Sequence, residues 1–153
     1  MGFFGRLFRK AQRSGLPDET SPLWAQGELP PGLLDEWRWL VSDRFLPAWC
    51  TACGDLFLQK SDGAVYLLDS ATGSLLAVAK SADALDEAAR DHFDDWWKPS
   101  LHEAAQRRTR PLNVGECYGW ITPPRLGGRA SADNLEPITL VEHFGRLGRA
   151  FCR

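Results

Sequence analysis

The residues best suited to chemistry are four cysteines, Cys50, Cys53, Cys117 and Cys152, and three histidines, His92, His102 and His143. Cys50-Thr51-Ala52-Cys53 has the spacing of a thiol–disulfide site, in which a helix N-terminus lowers the pKa of the first thiol. Here Pro47 precedes the pair, and Gly54-Asp55 with a strand-like run follows it, so the activating helix is missing. The pair therefore reads as reduced thiols with no redox role. A zinc site needs further ligands at matched spacing, and Cys117 and Cys152 are single and remote, so neither a metal nor a cofactor is expected. No two histidines stand at i and i+4, the spacing that brings two imidazoles to one ion.

Cys117 and His143 could form a remote nucleophile and base, and they define an alternative in which a cleft beside them binds or hydrolyses a small molecule. The plainer reading of His143, between Glu142 and Phe144, is a packed or capping histidine. Asp35-Glu36 and Asp94-Asp95 are adjacent carboxylates, which diverge on a helix and cannot work as an acid–base pair. The glycines match neither the phosphate-loop pattern nor the dinucleotide fingerprint. Binding, rather than catalysis, is the expectation.

The elements that must position these residues follow from periodicity. Residues 1–10 place Phe4, Leu7 and Phe8 on one helical face with Arg6, Arg9 and Lys10 elsewhere. Such a segment makes at most a weak contact with an anionic membrane surface, and docking on the protein body is the simpler reading. Pro, Gly and Ser crowd positions 14–32, which reads as a linker or an extended wrap, so the chain divides into an N-terminal segment, 1–32, and one domain, 33–153. Leu33, Leu34, Trp37, Leu40 and Val41 recur at helical spacing up to Pro47 and predict a helix. Three apolar runs, 56–59, 64–68 and 75–79, are joined by Asp62-Gly63 and Thr72-Gly73, which predicts an antiparallel three-stranded meander.

Ser81 is a good N-cap for a helix with Leu85, Ala89, Phe93 and Trp96 on one face and Asp86, Glu87, Asp91, Asp94 and Asp95 on the other. A further helical turn from Pro99 ends in Arg107, Arg108 and Arg110, and acid before base suits the helix dipole. A later strand is expected over 116–121, then a tight loop at 123–128. A last helix opens on the capping box Thr139-x-x-Glu142. The fold class is α+β, with an antiparallel sheet, the meander plus the later strand, packed against helices.

Composition narrows the function classes. At 153 residues one core suffices, and 44% apolar with 25% charged residues is ordinary for a globular chain. Seven tryptophans predict a core built on aromatic packing, with some rings left over for a partner surface. A formal net charge of −2 gives no electrostatic footprint for direct nucleic-acid binding. No apolar run is long enough to span a membrane and the N-terminus lacks a secretory signal, so a cytoplasmic location is expected.

Glu116-Cys117-Tyr118-Gly119-Trp120-Ile121, followed by Pro123-Pro124, Leu126-Gly127-Gly128, Asn134-Leu135 and the helix from Leu140 to Phe151, resembles the C-terminal domain of type VI secretion immunity proteins. These include proteins that protect against DNase effectors. Gly54-Asp55-Leu56-Phe57, Asp62-Gly63, Leu68-Asp69 and Thr72-Gly73 are similar to the same family's strand meander, so the resemblance runs from Gly54 to Phe151. It implies a non-catalytic inhibitor that binds a cognate toxin directly. The domain also occurs attached to other modules, so a regulatory interaction module with another partner is the alternative.

Within the motif, Gly119 should let a ring or backbone pack closely, Gly127 and Gly128 should take positive φ, and Pro123 and Pro124 should stiffen the approach. For partner binding, the acidic helix face points to Asp91, Asp94 and Asp95, with Trp97 as an anchor if it lies off the core-facing stripe. Tyr118, Trp120 and Arg125 form the second candidate region.

Overall fold

The computed structural model describes residues 15–153, so the basic segment at 1–10 lies outside the described residues. Four antiparallel strands run in chain order: β1 (Phe45–Cys50), β2 (Leu56–Lys60), β3 (Val65–Asp69) and β4 (Ser74–Ala79). Three long helices follow as α1 (Ala82–Trp97), α2 (Pro99–Arg108) and α3 (Leu140–Phe151). Between α2 and α3, β5 (Glu116–Trp120) and β6 (Leu135–Thr139) form a second, two-stranded sheet. The α+β class is as expected, but the later strand does not join the meander: the meander gains β1 as a fourth strand, and β5 pairs with β6 in a sheet of its own.

Both extra strands carry a proline. Pro47 reads as a helix stop but sits in β1, an edge strand, where a missing N–H can face away from the ladder. The register between β1 and β2 shifts between Pro47 and Trp49. Pro137 pairs with Tyr118 across a sheet that is nothing but edges.

The helix expected from Leu33 is replaced by turns and one 3-10 turn, Asp35–Trp37. Leu33, Leu34, Trp37 and Val41 are nonetheless buried, so the spacing marked the apolar side and not the backbone conformation. The α helix would have had only a short span between Gly32, at φ +81°, and β1, which claims the chain from Phe45.

The main sheet is covered on both faces, which explains why Leu56, Phe57 and Leu58 are all buried. Phe57, Val65 and Leu67 point to one face, against Leu85, Ala89, Trp96 and Trp97 of α1 and Leu16 and Trp24 of the N-terminal wrap. Leu56, Leu58 and Leu68 point to the other, against Leu140, Phe144 and Leu147 of α3 and the Leu33–Val41 turns. Alternation along each strand thus feeds two cores. Tyr118, Trp120 and Leu135 of the small sheet pack on Ala105 of α2 in a third.

Capping holds where the sequence placed it. Ser81 accepts the Ala84 N–H at 3.2 Å, and Thr139 Oγ1 accepts the Glu142 N–H at 3.3 Å.

Candidate functional site

Of the chemistry-bearing residues, His92 and Cys152 are exposed and His102 lies on α2, whereas Cys50, Cys53, Cys117 and His143 gather around the turn between β1 and β2, inside the protein. Backbone ties bring the small sheet there: the Tyr118 N–H donates to the Ala52 carbonyl at 2.7 Å. Cys50, Cys53 and Cys117 are buried, and burial pushes all three thiols up, that of Cys53 to about 12. A thiol held protonated is a poor nucleophile. Among the described residues no group of three His, Cys, Asp or Glu side chains is placed to hold a metal ion.

His143 lies fully buried between two glycines. Its Nε2 donates to the Gly54 carbonyl at 2.9 Å, a direction that fixes the tautomer and leaves Nδ1 unprotonated. Nδ1 has no hydrogen-bond partner. A Cβ on Gly54 would lie 2.5 Å from Nε2, and one on Gly119 would lie 2.5 Å from Nδ1, so both glycines serve as walls for the ring. Burial pushes the imidazole pKa down to about 4. His143 is therefore a neutral packing residue, and neither it nor Cys117 opens to a cleft.

Beside this cluster, buried Asp55 accepts the Ser70 N–H at 2.9 Å and the Ser70 hydroxyl at 2.8 Å on one oxygen. Its other oxygen accepts from Lys98 Nζ at 2.5 Å. Burial by itself would lower the lysine's pKa, but the neighbouring acidic groups, Asp55 first and then Asp69 and Cys53, together more than offset it and hold the pKa above 10.5. Lys98 joins α1 to α2 with φ at +50°. The pair fastens the helix junction to the β1–β2 turn.

The partner-binding candidates divide by burial. Asp91, Asp94 and Asp95 are exposed, as is Glu87, and none pairs with a lysine or arginine among the described residues; Asp95 has only His92, at 3.8 Å. Asp86, assigned to the same face by periodicity, is buried instead.

Trp97 is fully buried, T-shaped against Trp24 with ring centroids 5.4 Å apart, so the condition for its being an anchor is not met. Tyr118 and Trp120 are also core residues, and the Tyr118 hydroxyl donates to the Arg110 carbonyl at 2.6 Å. Alternation in a strand does not reveal that both faces are covered, which is why Tyr118 and Trp120 read as available. Trp97, by contrast, ends a helix whose buried side is wider than the Leu85, Ala89, Phe93 and Trp96 stripe. Of the second region only Arg125 is exposed.

The loop after β5 is structural, with one correction. Gly127 takes φ +103° as expected, but Gly128 does not need a positive φ. A Cβ there would instead overlap the Thr122 carbonyl oxygen, which Asn134 Nδ2 also engages at 2.6 Å. Pro123 is buried and Pro124 half-buried at the start of the 3-10 turn that carries Arg125.

Sequence reasoning did not single out Trp39. Six of the seven tryptophans are buried, and Trp39, 43% exposed, is the ring left over. It stacks on Trp37 at 5.7 Å and donates to the Gly148 carbonyl at 3.1 Å. Its place next to a helical stripe concealed it.

Residues 80–148 match the family model described as T6SS immunity protein Tdi1, C-terminal. This is the family that the sequence resembles, over α1, α2, the small sheet and most of α3, whereas the main sheet lies upstream of the matched residues. No curated protein matches the chain.

Proposed function

We propose that this chain is an immunity protein that neutralises a cognate secreted effector by covering it, with the outer face of α1 as its encounter surface. The observation that carries the reading is the coincidence of the family match with that face. The matched residues begin two positions before α1, whose solvent side presents Glu87, Asp91, Asp94 and Asp95 without basic partners among the described residues. An effector that acts on nucleic acid carries positive charge where it holds phosphates, and a cluster of carboxylates speeds encounter with such a groove. Burial of Cys117 and His143 supports binding over the hydrolytic alternative, because a nucleophile sealed from solvent meets no substrate.

The test uses the cognate effector, sought first among the products of neighbouring genes. Asp91, Asp94 and Asp95 are replaced together by Asn, folding is checked by circular dichroism, and association is measured at two salt concentrations. The wild type should bind, and the variant should associate about tenfold more slowly at low salt with a flatter salt dependence. Absence of wild-type binding contradicts the immunity reading. Equal on-rates contradict only the role of α1.

A further inference from the structure

A cleft of about 590 Å³ opens on the other side of the main sheet from α1, where α3 ends against the start of β4. Its apolar lining comes from Trp39, Leu40, Leu75, Leu126 and Phe151, and its charged lining from Arg125 and Arg153 alone. Trp39 is 43% exposed and Leu126 40%, which is costly surface for a chain that buries every other tryptophan.

Both arginines are exposed, and neither pairs with a carboxylate among the described residues. Arg125 is held in place: its Nη1 donates to the Thr72 carbonyl at 2.9 Å and its backbone N–H to the Ala71 carbonyl at 3.1 Å. The rest of its guanidinium is left to face a ligand. Other surface arginines, Arg110, Arg129, Arg146 and Arg149, each have a carboxylate within ion-pair distance.

The geometry points to a docking site for a protein segment in which a carboxylate neighbours an aromatic or aliphatic side chain. The side chain enters between Trp39, Leu75 and Phe151, and the carboxylate meets the two arginines. Charge complementarity selects the occupant, since the side chains that line the cleft include two arginines and no acidic residue. A nucleic acid is a poorer fit, because two cations over an apolar floor neutralise little of a polyanion. This inference rests on the reading of the chain as a binding protein, but it places a second contact of opposite charge away from α1.

The full chain is titrated with the blocked pentapeptide Gly-Leu-Asp-Phe-Gly while the indole N–H signal of Trp39, assigned through Trp39→Phe, is followed by nuclear magnetic resonance. The same peptide with Asn for Asp, dodecanoate and a short thymidine oligonucleotide are run in parallel. The expected result is a saturable shift with the Asp peptide, about fivefold weaker binding of the Asn peptide, and a similar weakening in Arg153→Gln and Arg125→Gln. Arg153→Gln keeps the test valid if losing the Thr72 contact disturbs the loop. No shift, equal binding of the two peptides, or a stronger response to dodecanoate or the oligonucleotide overturns the proposal. Because no effector is used, failure here leaves the immunity reading standing, and failure of effector binding leaves this result untouched.

Discussion

His143 illustrates how little of a residue's role its type reveals. A histidine and a cysteine in one chain suggest catalysis, and only the enclosing glycines at 54 and 119 make this one a packing group. Its burial has a pH consequence. The folded form holds the imidazole neutral down to about pH 4, whereas an unfolded histidine takes up a proton near 6.5. The unfolded state thus binds more protons between these values, and stability falls as pH drops through that window, by on the order of 3 kcal/mol. His143→Gln, which can keep a donor to the Gly54 carbonyl, should flatten the melting midpoint between pH 6.5 and 4. An unchanged slope would place the acid sensitivity elsewhere.

The glycines of the loop after β5 give a second contrast at this scale. Gly127→Ala meets open space but must hold φ +103°, so a loss of about 1–2 kcal/mol is expected. Gly128→Ala must displace the Thr122 carbonyl and the Asn134 clamp, and should cost more. Denaturant titration of the two variants decides it, and a milder Gly128→Ala would contradict the packing argument. The Gly-Gly pair was legible as a turn, but which glycine answers to dihedral angle and which to space was not.

At the scale of elements, capping and alternation were readable because they are local. Ser81, Thr139 and the runs at 56, 64 and 75 all lie where their patterns placed them. The two proline-bearing strands were hidden, because tolerance of Pro47 and Pro137 depends on their being at a sheet edge. The Leu33 stripe misled for a related reason: one buried side can be built from turns as well as from a helix.

The junction of α1 and α2 was equally invisible, since Lys98 and Asp55 are 43 residues apart. Lys98→Met leaves the buried carboxylate without its cation and should destabilise the protein by on the order of 3 kcal/mol, read from thermal melting. The raised lysine pKa sets the sign in alkali. The stabilisation is complete below pH 10.5 and is lost as pH rises through the folded value above it. An unaltered melting midpoint in Lys98→Met would show that the pair does not fasten the junction.

At the scale of the whole molecule, the proposed inhibition by occupancy draws on the family match over residues 80–148 and on the burial of Cys50, Cys53, Cys117 and His143. Of the seven partner-binding candidates read from the sequence, Asp91, Asp94, Asp95 and Arg125 lie at the surface, while Trp97, Tyr118 and Trp120 build the cores. The charges were legible as surface because desolvating them is so costly. The rings were not, because aromatic residues serve cores and interfaces alike.

Occupancy and enzymatic inactivation differ in stoichiometry, and that difference is the most direct test. Purified cognate effector is held at a concentration far above the dissociation constant while this protein is added in steps and the effector's own activity is followed. A binding inhibitor produces a linear fall that breaks at a fixed molar equivalence and does not deepen with incubation time. Complete inactivation by a small fraction of an equivalent, progressing with time, or no inhibition at several equivalents, would contradict the account.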